Sequence, residues 1–330
     1  MTSFFLACSF LLLQVSTSFV NMQIIPASSH QNNLFGKANG ESDSHLGILS
    51  FDLDDTLFHT TNVVRAANEK MIQTMIEQGC TDAALPVFLE TTKSIRKTLE
   101  KPLTYQALRK RAIRQTFVTS QAFPSLQSTS DVDLDALVDI CYNAWENERH
   151  EAAERFLFPN AVETMTELRK VYPNTCFAAI TNGAGDPLKM PNTLAPFFDF
   201  RISGEDEEIF PNRKPHSYIY EYALQKYKED EKFGSGAWCH VGDCLANDVG
   251  ASAACGASAI WMCLEDDPES AASRLVDSKN HPEWSTAPQE EIDRRKKKVD
   301  EGKKSVAATI YELSELPNAI SLVLQQSYST

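Results

Sequence analysis

The chain has 330 residues, of which 42% are hydrophobic, so it is long enough for a large domain with a buried core. Acidic residues outnumber basic residues by 45 to 31, and the resulting net charge of −14 excludes a broad basic face for nucleic acid. A small anionic ligand would therefore need local positive charge, from a metal ion or from a few placed lysines.

Residues 1–44 are expected to be a targeting presequence that is disordered or cleaved. An apolar run in residues 1–20 is too short to span a bilayer comfortably and ends in small residues before Phe19, as in a secretory signal. Residues 21–40 are rich in Ser, Asn, Gln and Pro, and Lys37 is their only charged residue. This order resembles the bipartite plastid presequence of algae with secondary plastids. Plain secretion is the competing interpretation, and no stable membrane span is expected in the mature chain.

The cysteines predict neither a disulfide framework nor a zinc site. If Cys8 leaves with the presequence, an odd number remains, without paired spacings. Cys239, His240 and Cys244 suggest zinc ligands, but residues 237–241 have the pattern of a buried strand, whose neighbouring side chains point to opposite faces. Zinc is therefore disfavoured.

A short apolar strand at residues 48–51 ends in a turn that carries Asp52, Asp54 and Asp55. Apolar residues on both faces are typical of a parallel sheet covered by helices, and open α/β sheets bind ligands at the carboxyl ends of their strands. Carboxylates crowded at such an end indicate a metal ion.

Residues 60–156 predict an all-helical insert, because apolar positions recur there at helical spacing in four successive stretches. Basic residues gather in the third stretch, at Arg109, Lys110, Arg111 and Arg114. A solvated face is the favoured interpretation of this cluster, and a patch that faces the anionic part of a substrate is the alternative.

Strands and helices alternate from residue 157 onwards, which predicts a doubly wound parallel sheet of the α/β class. Its core would comprise residues 45–59 and 157–330. Polar residues follow the predicted strands at Thr181, Asn182 and Gly183, and again at Asp243, Asn247 and Asp248; Lys214 precedes a helix. Residues 265–305 are polar and charged, and predict an excursion from the core with at most one exposed helix.

These residues resemble the four motifs of the haloacid dehalogenase superfamily of phosphatases, and the helical insert resembles that family's C1 cap on a Rossmann-like core. The resemblance implies that Asp52 is the nucleophile and Asp54 the general acid/base. It further implies that Thr181 and Asn182 hold the phosphoryl oxygens, with Gly183 in support, and that Lys214 balances charge. Mg²⁺ would be held by Asp52, the backbone carbonyl of Asp54 and Asp243.

Physical chemistry agrees with this division of roles. Phosphate monoesters hydrolyse very slowly without a catalyst, and an anionic nucleophile meets an anionic substrate only with a cation between them. By the same resemblance, dehalogenases lack an acid at the position of Asp54, so its presence favours phosphoryl transfer. Asp55 is interpreted as structural, and Asp248 as a residue that anchors its loop or orients Lys214 rather than binding metal.

The expected substrate is a small phosphorylated metabolite. The stretches around Thr181 and Asp243 resemble bacterial phosphatases that act on flavin mononucleotide or on the ribitylaminouracil phosphate of riboflavin synthesis. Sugar phosphates, phosphoglycolate and nucleoside monophosphates stay open as alternatives, because the sequence does not position the cap residues that select the substrate. The alternative from another class is a catalytically silent relative that binds a phosphorylated metabolite or a partner protein.

Overall fold

The fold was obtained as a computed structural model that describes residues 45–123, 131–265 and 289–326. Its six strands are β1 (Leu46–Phe51), β2 (Cys176–Thr181), β3 (Phe200–Ser203), β4 (Ala237–Gly242), β5 (Ser258–Met262) and β6 (Val306–Ile310). They form one parallel sheet in the order β3-β2-β1-β4-β5-β6. The predicted doubly wound parallel sheet is therefore confirmed, and the chain switches direction across the sheet between β1 and β4, where such sheets bind ligands.

Strand β1 lies at the centre of the sheet, and every one of its residues is buried. Phe51, its last residue, pairs with Ala179 on one side and Val241 on the other, so β1, β2 and β4 end at nearly the same level. The backbone N–H of Asp52 continues this ladder by donating to the carbonyl of Val241 at 2.9 Å. The register therefore brings the polar residues that follow these three strands to one edge.

Four helices follow β1 without an intervening strand among the described residues: α1 (Thr60–Glu77), α2 (Leu85–Lys97), α3 (Tyr105–Thr119) and α4 (Asp131–Arg155). We call these four helices the cap. They have a hydrophobic core of their own, in which Met71, Phe88, Phe117 and Trp145 are buried. The cap occupies the segment predicted to be the helical insert.

The remaining helices cover the sheet: α5 (Ala161–Val171), α6 (Ser217–Glu229), α7 (Ala251–Ala254), α8 (Gln289–Lys304) and α9 (Leu316–Gln326). Leu49 and Phe51 of β1 point into one core layer with Leu168 and Ile320, whereas Ile48 points into the opposite layer with Tyr220. This alternation explains why β1 is apolar on both faces. Among the described residues, none of the helices is apolar and long enough to cross a bilayer.

The prediction for residues 265–305 is only partly right. Residues 266–288 lie outside the described part of the chain, as does the whole of the expected presequence, but α8 packs against a π-helical turn at Leu245–Gly250 and buries Ile292 and Gly302. The helix thus has one packed face and is not simply exposed. Its many charged residues conceal this in the sequence, because the contact is made by a few small or apolar residues: Ile292, Val299 and Gly302.

The contact between α8 and the core depends on Gly302. A Cβ atom at this position would lie 2.0 Å from the carbonyl oxygen of Leu245. Since that oxygen belongs to rigid backbone, we expect Gly302→Ala to displace α8. The free energy of unfolding should fall by about 1–3 kcal/mol, which lowers the melting temperature by several degrees. Calorimetric melting checks this. Glu301→Ala, at an exposed position on the same helix, is the control, and equal melting temperatures for both variants would contradict the tight contact.

Candidate active site

A cavity of about 230 Å³ lies between the carboxyl edge of the sheet and the cap. The cavity is lined by all of the predicted site residues: Asp52, Asp54, Thr181, Asn182, Gly183, Lys214, Asp243, Asn247 and Asp248. Residues that are nearly two hundred positions apart in the chain therefore meet at one place. This place is the switch point of the sheet, as expected for a ligand site in this class of fold.

The centre of the site is a buried ammonium group between two carboxylates. Lys214 Nζ donates to Asp52 Oδ1 at 2.5 Å and to Asp248 Oδ1 at 2.7 Å, and all three side chains are buried. Burial by itself disfavours the charge of Lys214, but the carboxylates of Asp248 and Asp52 outweigh it and raise its pKa. Burial, together with Asp248 and Asp54, raises the pKa of Asp52 although Lys214 opposes the shift.

Asp248 also holds its own loop in place. Its Oδ2 accepts a hydrogen bond from the backbone N–H of Cys244 at 3.0 Å, and its ion pair with Lys214 keeps its pKa below the ordinary value despite burial. Gly242 makes this approach possible, because a Cβ atom there would lie 2.4 Å from Cβ of Asp248. Asp248 therefore has both contacts that the sequence interpretation gave as alternatives: the loop and Lys214.

Asp243 is positioned by its backbone from two sides. Its N–H donates to Thr56 Oγ1 at 3.1 Å, and its carbonyl accepts from Trp261 Nε1 at 2.8 Å. The first contact ties the loop after β4 to the turn after β1.

The residues at this edge fit a hard divalent cation. One carboxylate oxygen each from Asp52, Asp243 and Asp248 lies within 4.8 Å of the others. An all-oxygen donor set of this kind suits a hard cation such as Mg²⁺. The cluster does not include Cys239 or Cys244, whose thiol pKa values burial raises to about 12, so neither is poised to bind zinc.

Asp54 has a partner that the sequence interpretation missed. Arg149, near the end of α4, directs Nη2 to Asp54 Oδ1 at 2.8 Å and to Oδ2 at 3.1 Å. Only 4% of the arginine side chain is exposed, and its Nη1 is a buried donor without a hydrogen-bond acceptor among the described residues. The cap thus reaches into the site and holds the carboxylate of Asp54. Arg149 lies in a run of charged residues, where helical periodicity does not show that it points inward.

Two small residues leave room for Arg149. A Cβ atom on Gly183 would lie 2.8 Å from Asp54 Oδ2, and one on Gly185 would lie 3.3 Å from Arg149 Nη1. The supporting role predicted for Gly183 thus has a steric basis, because a larger residue would push the carboxylate away from the guanidinium.

Thr181 is the last residue of β2 and Asn182 follows it, and the side chain of Asn182 contacts the backbone of Lys214. Its Nδ2 donates to the carbonyl of Lys214 at 2.9 Å, and its Oδ1 accepts from the N–H of Lys214 at 2.8 Å. Both ends of the amide are thereby used to hold the lysine's backbone. A contact of Asn182 with a phosphoryl oxygen can come from its backbone N–H or from the second hydrogen on Nδ2. Thr181 Oγ1 accepts from the N–H of Gly183 at 3.1 Å.

Asp55 also lines the cavity, but its side chain is held by the backbone at the start of α1. It has a left-handed backbone conformation with φ of 59°, and its Oδ1 accepts from the N–H of Thr60, the first residue of α1, at 3.0 Å. These contacts agree with a structural role at the point where the chain leaves the core for the cap.

The basic cluster of α3 divides between surface and cavity. Lys110 pairs with Asp139 at 2.8 Å and Arg114 pairs with Asp135, both on the adjacent α4, while Arg111 is exposed. Arg109 instead lines the cavity. The solvated-face interpretation therefore holds for three members and fails for one.

Arg295 is a second cavity residue that sequence reasoning did not find. It comes from α8, is 12% exposed and pairs with Glu291 one turn earlier on the same helix. In the sequence it stands next to four other basic residues, so it looks like part of a solvated patch.

The ion pairs of Lys214 suggest a stability test. Asp248→Asn keeps the shape but removes one of the two negative charges around a buried ammonium group, so we expect a loss of about 3 kcal/mol in the free energy of unfolding. Urea titration measures it. Asp139→Asn breaks a surface ion pair with Lys110 and should change stability little. Equal losses for the two variants would contradict the importance assigned to the buried pair.

Comparison with known proteins identifies the family of this chain. A model described as haloacid dehalogenase-like hydrolase matches residues 47–256. A 2-haloacid dehalogenase from Pseudomonas syringae pv. Tomato DC3000 has a similar fold, with a TM-score of 0.58 and 22% identity over 84% of this chain and 98% of that one.

Two further solved structures align less closely. An L-2-haloacid dehalogenase from Xanthobacter autotrophicus has a TM-score of 0.43 and 18% identity over 84% of this chain and 98% of its own. A predicted phosphoglycolate phosphatase from Haemophilus somnus 129PT has a TM-score of 0.44 and 13% identity over 83% and 97%. No curated protein matches the sequence. The family model covers more than half of the chain, and the chain therefore belongs to the haloacid dehalogenase-like hydrolases.

Proposed function

We propose that the protein is a Mg²⁺-dependent phosphomonoesterase that acts on a small phosphorylated metabolite through an aspartyl-phosphate intermediate. The observation that carries the proposal is the different setting of two carboxylates on one turn. Asp52 is buried against Lys214, whereas Asp54, two residues later, faces the same cavity and pairs with Arg149. Two acids on one turn that face the same cavity suit a reaction that needs both a nucleophile and a second group that transfers a proton.

In the proposed reaction, a carboxylate oxygen of Asp52 forms a bond to phosphorus while the ester P–O bond breaks. The leaving alkoxide takes a proton from the carboxyl group of Asp54. Asp54, now ionised, then accepts a proton from the water that attacks the phosphorus, and the P–O bond to Asp52 breaks. Inorganic phosphate leaves and both carboxyl groups return to their starting forms.

The surrounding residues supply charge and position. Lys214 neutralises part of the negative charge as the carboxylate and the phosphoryl group approach each other, and Asn182 fixes the backbone from which Lys214 extends. Thr181, with the backbone after β2, is proposed to hold the phosphoryl oxygens. Asp52 and Asp243, with the carbonyl of Asp54, are proposed to hold Mg²⁺, which when bound supplies the further positive charge that two anionic reactants need.

The flavin pathway remains the specific substrate proposal, supported by the likeness of the stretches around Thr181 and Asp243 to bacterial phosphatases of that pathway. Flavin mononucleotide and ribitylaminouracil phosphate are both candidates, because the cavity of about 230 Å³ opens to solvent and so does not limit the size of the ligand. Delivery to a plastid, with secretion as the alternative, is likewise a proposal, because residues 1–44 lie outside the described chain.

The nucleophile assignment predicts a large effect of a small change. Asp52→Asn should reduce Mg²⁺-dependent hydrolysis of para-nitrophenyl phosphate by a factor on the order of 10³ or more, because an amide does not attack phosphorus. Asp55→Asn is the matched control, since asparagine tolerates the left-handed conformation and can still accept from Thr60. Release of phosphate is measured with Mg²⁺ and with a chelator. Undiminished turnover in Asp52→Asn refutes the assignment, and no turnover in the native protein favours the silent relative.

Arg149 is proposed as the positioning residue for Asp54. Esters with good and poor leaving groups test this role. A poor leaving group needs the proton from Asp54, whereas nitrophenolate leaves readily without it. Arg149→Met should therefore slow hydrolysis of benzyl phosphate by about 100-fold and that of para-nitrophenyl phosphate far less. Arg155→Met, at a half-exposed position on the same helix, is the control. Equal slowing of both esters would indicate a general structural defect and contradict the positioning role.

A further inference from the structure

The cap side of the cavity has a wall that the proposed reaction does not use. Four aromatic side chains line it, and among them lies Arg109 of α3. The aromatic residues are Phe88, Tyr105, Tyr142 and Trp145. They lie on the side of the cavity that faces the part of an ester beyond the phosphoryl group.

Arg109 is fixed in this wall by stacking and by one shared acceptor. Its guanidinium carbon lies 4.0 Å from the ring centroid of Trp145 and 5.7 Å from that of Phe88. Its Nη1 donates to Asn68 Oδ1 at 2.9 Å, and the same oxygen accepts from Trp145 Nε1 at 3.0 Å. Asn68 is itself 1% exposed, so the plane of the guanidinium is set by buried neighbours.

Arg109 has no direct ion pair among the described residues, and Glu205, whose negative charge acts on it, is itself paired with Arg213. No carboxylate of the described residues lies within ion-pair distance of it, whereas Lys110 and Arg114 on the same helix each pair with an acid of α4. Burial lowers the pKa of Arg109 to about 10, which still leaves it charged at neutral pH. A buried cation without a directly paired anion is costly, and a guanidinium has five N–H donors of which Asn68 uses one. The unused donors line the cavity wall.

We infer that this wall is the leaving-group subsite, and that it takes a planar ring that carries an oxygen acceptor, either a ring oxo group or a carboxylate. The aromatic side chains would cover the faces of the ring, and Arg109 would donate to its oxygen. A guanidinium matches two oxygens or one carbonyl in a plane, and aromatic walls favour a flat ring over a polyhydroxylated sugar. This inference rests on the proposed phosphatase activity and specifies its substrate class.

Three phosphate esters with the same kind of leaving oxygen test the subsite: cyclohexylmethyl, benzyl and 4-carboxybenzyl phosphate. Because each leaves as a primary alkoxide, differences in kcat/KM report binding of the ring rather than leaving-group chemistry. We expect benzyl phosphate to exceed the cyclohexylmethyl ester by about 3- to 10-fold. The carboxyl group should add a further advantage of about 10- to 100-fold.

Substitution of Arg109 tests whether it causes the preference for 4-carboxybenzyl over benzyl phosphate. Arg109→Met should abolish the preference for 4-carboxybenzyl over benzyl phosphate, while the ratio of benzyl to cyclohexylmethyl phosphate changes little. Arg111→Met, at an exposed position on the same helix, should leave both ratios unchanged. If Arg109→Met does not fold, Arg109→Lys keeps the charge but loses the planar fork and should still reduce the carboxyl preference.

The outcomes separate the inference from the reaction on which it depends. Hydrolysis of all three esters at equal kcat/KM would overturn the subsite and leave the phosphatase intact. A carboxyl preference that survives in a folded Arg109→Met variant would overturn the role of Arg109. Failure to hydrolyse any of the three, or para-nitrophenyl phosphate, would instead reject the proposed function.

Discussion

The position of Lys214 constrains the rest of the site. A buried ammonium group is stable only if anions surround it, and here they come from two loops, with Asp52 after β1 and Asp248 after β4. Both carboxylates reach it because β1 and β4 are adjacent parallel strands that end at the same level. Asn182, after β2, then holds the backbone of Lys214: its side-chain amide donates to the carbonyl of Lys214 and accepts from the N–H of Lys214. Three neighbouring strand ends are thereby joined through one residue, Lys214.

The cap completes the site from the other side. Arg149 of α4 binds Asp54, and Arg109 of α3 stands in an aromatic wall without a direct ion pair among the described residues. The two arginines divide the proposed reaction in space: one orients the acid at the phosphoryl end, and the other faces the ring end. Since Asp54 belongs to the core and Arg149 to the cap, the placement of the proton donor depends on how the cap sits on the sheet.

The sequence was sufficient for the parts of the structure that are encoded locally. The strand ends that carry Asp52, Thr181 and Asp243 follow short apolar runs, so both the sheet and the grouping of these residues could be predicted. Arg109, Arg149 and Arg295 could not, because each lies in a charged stretch of a helix where solvent-facing and inward-facing cations look alike. Which of them turns inward is decided by partners distant in the chain, such as Asn68 for Arg109 and Asp54 for Arg149. The packed face of α8 was missed for a related reason, since its closest contact is made by a glycine.

Trapping the proposed covalent intermediate on Asp52 is the most direct test of its nucleophilic role. Rapid acid quenching of the Asp54→Asn variant during turnover of para-nitrophenyl phosphate should trap the intermediate, because this variant still permits attack by Asp52 with a good leaving group but activates water poorly. Peptide mass spectrometry should then find the added mass of one phosphoryl group on the peptide that contains Asp52, and none after Asp52→Asn. Steady release of phosphate by the native protein, with no protein-bound phosphoryl group at any quench time in either form, would contradict the nucleophilic role of Asp52.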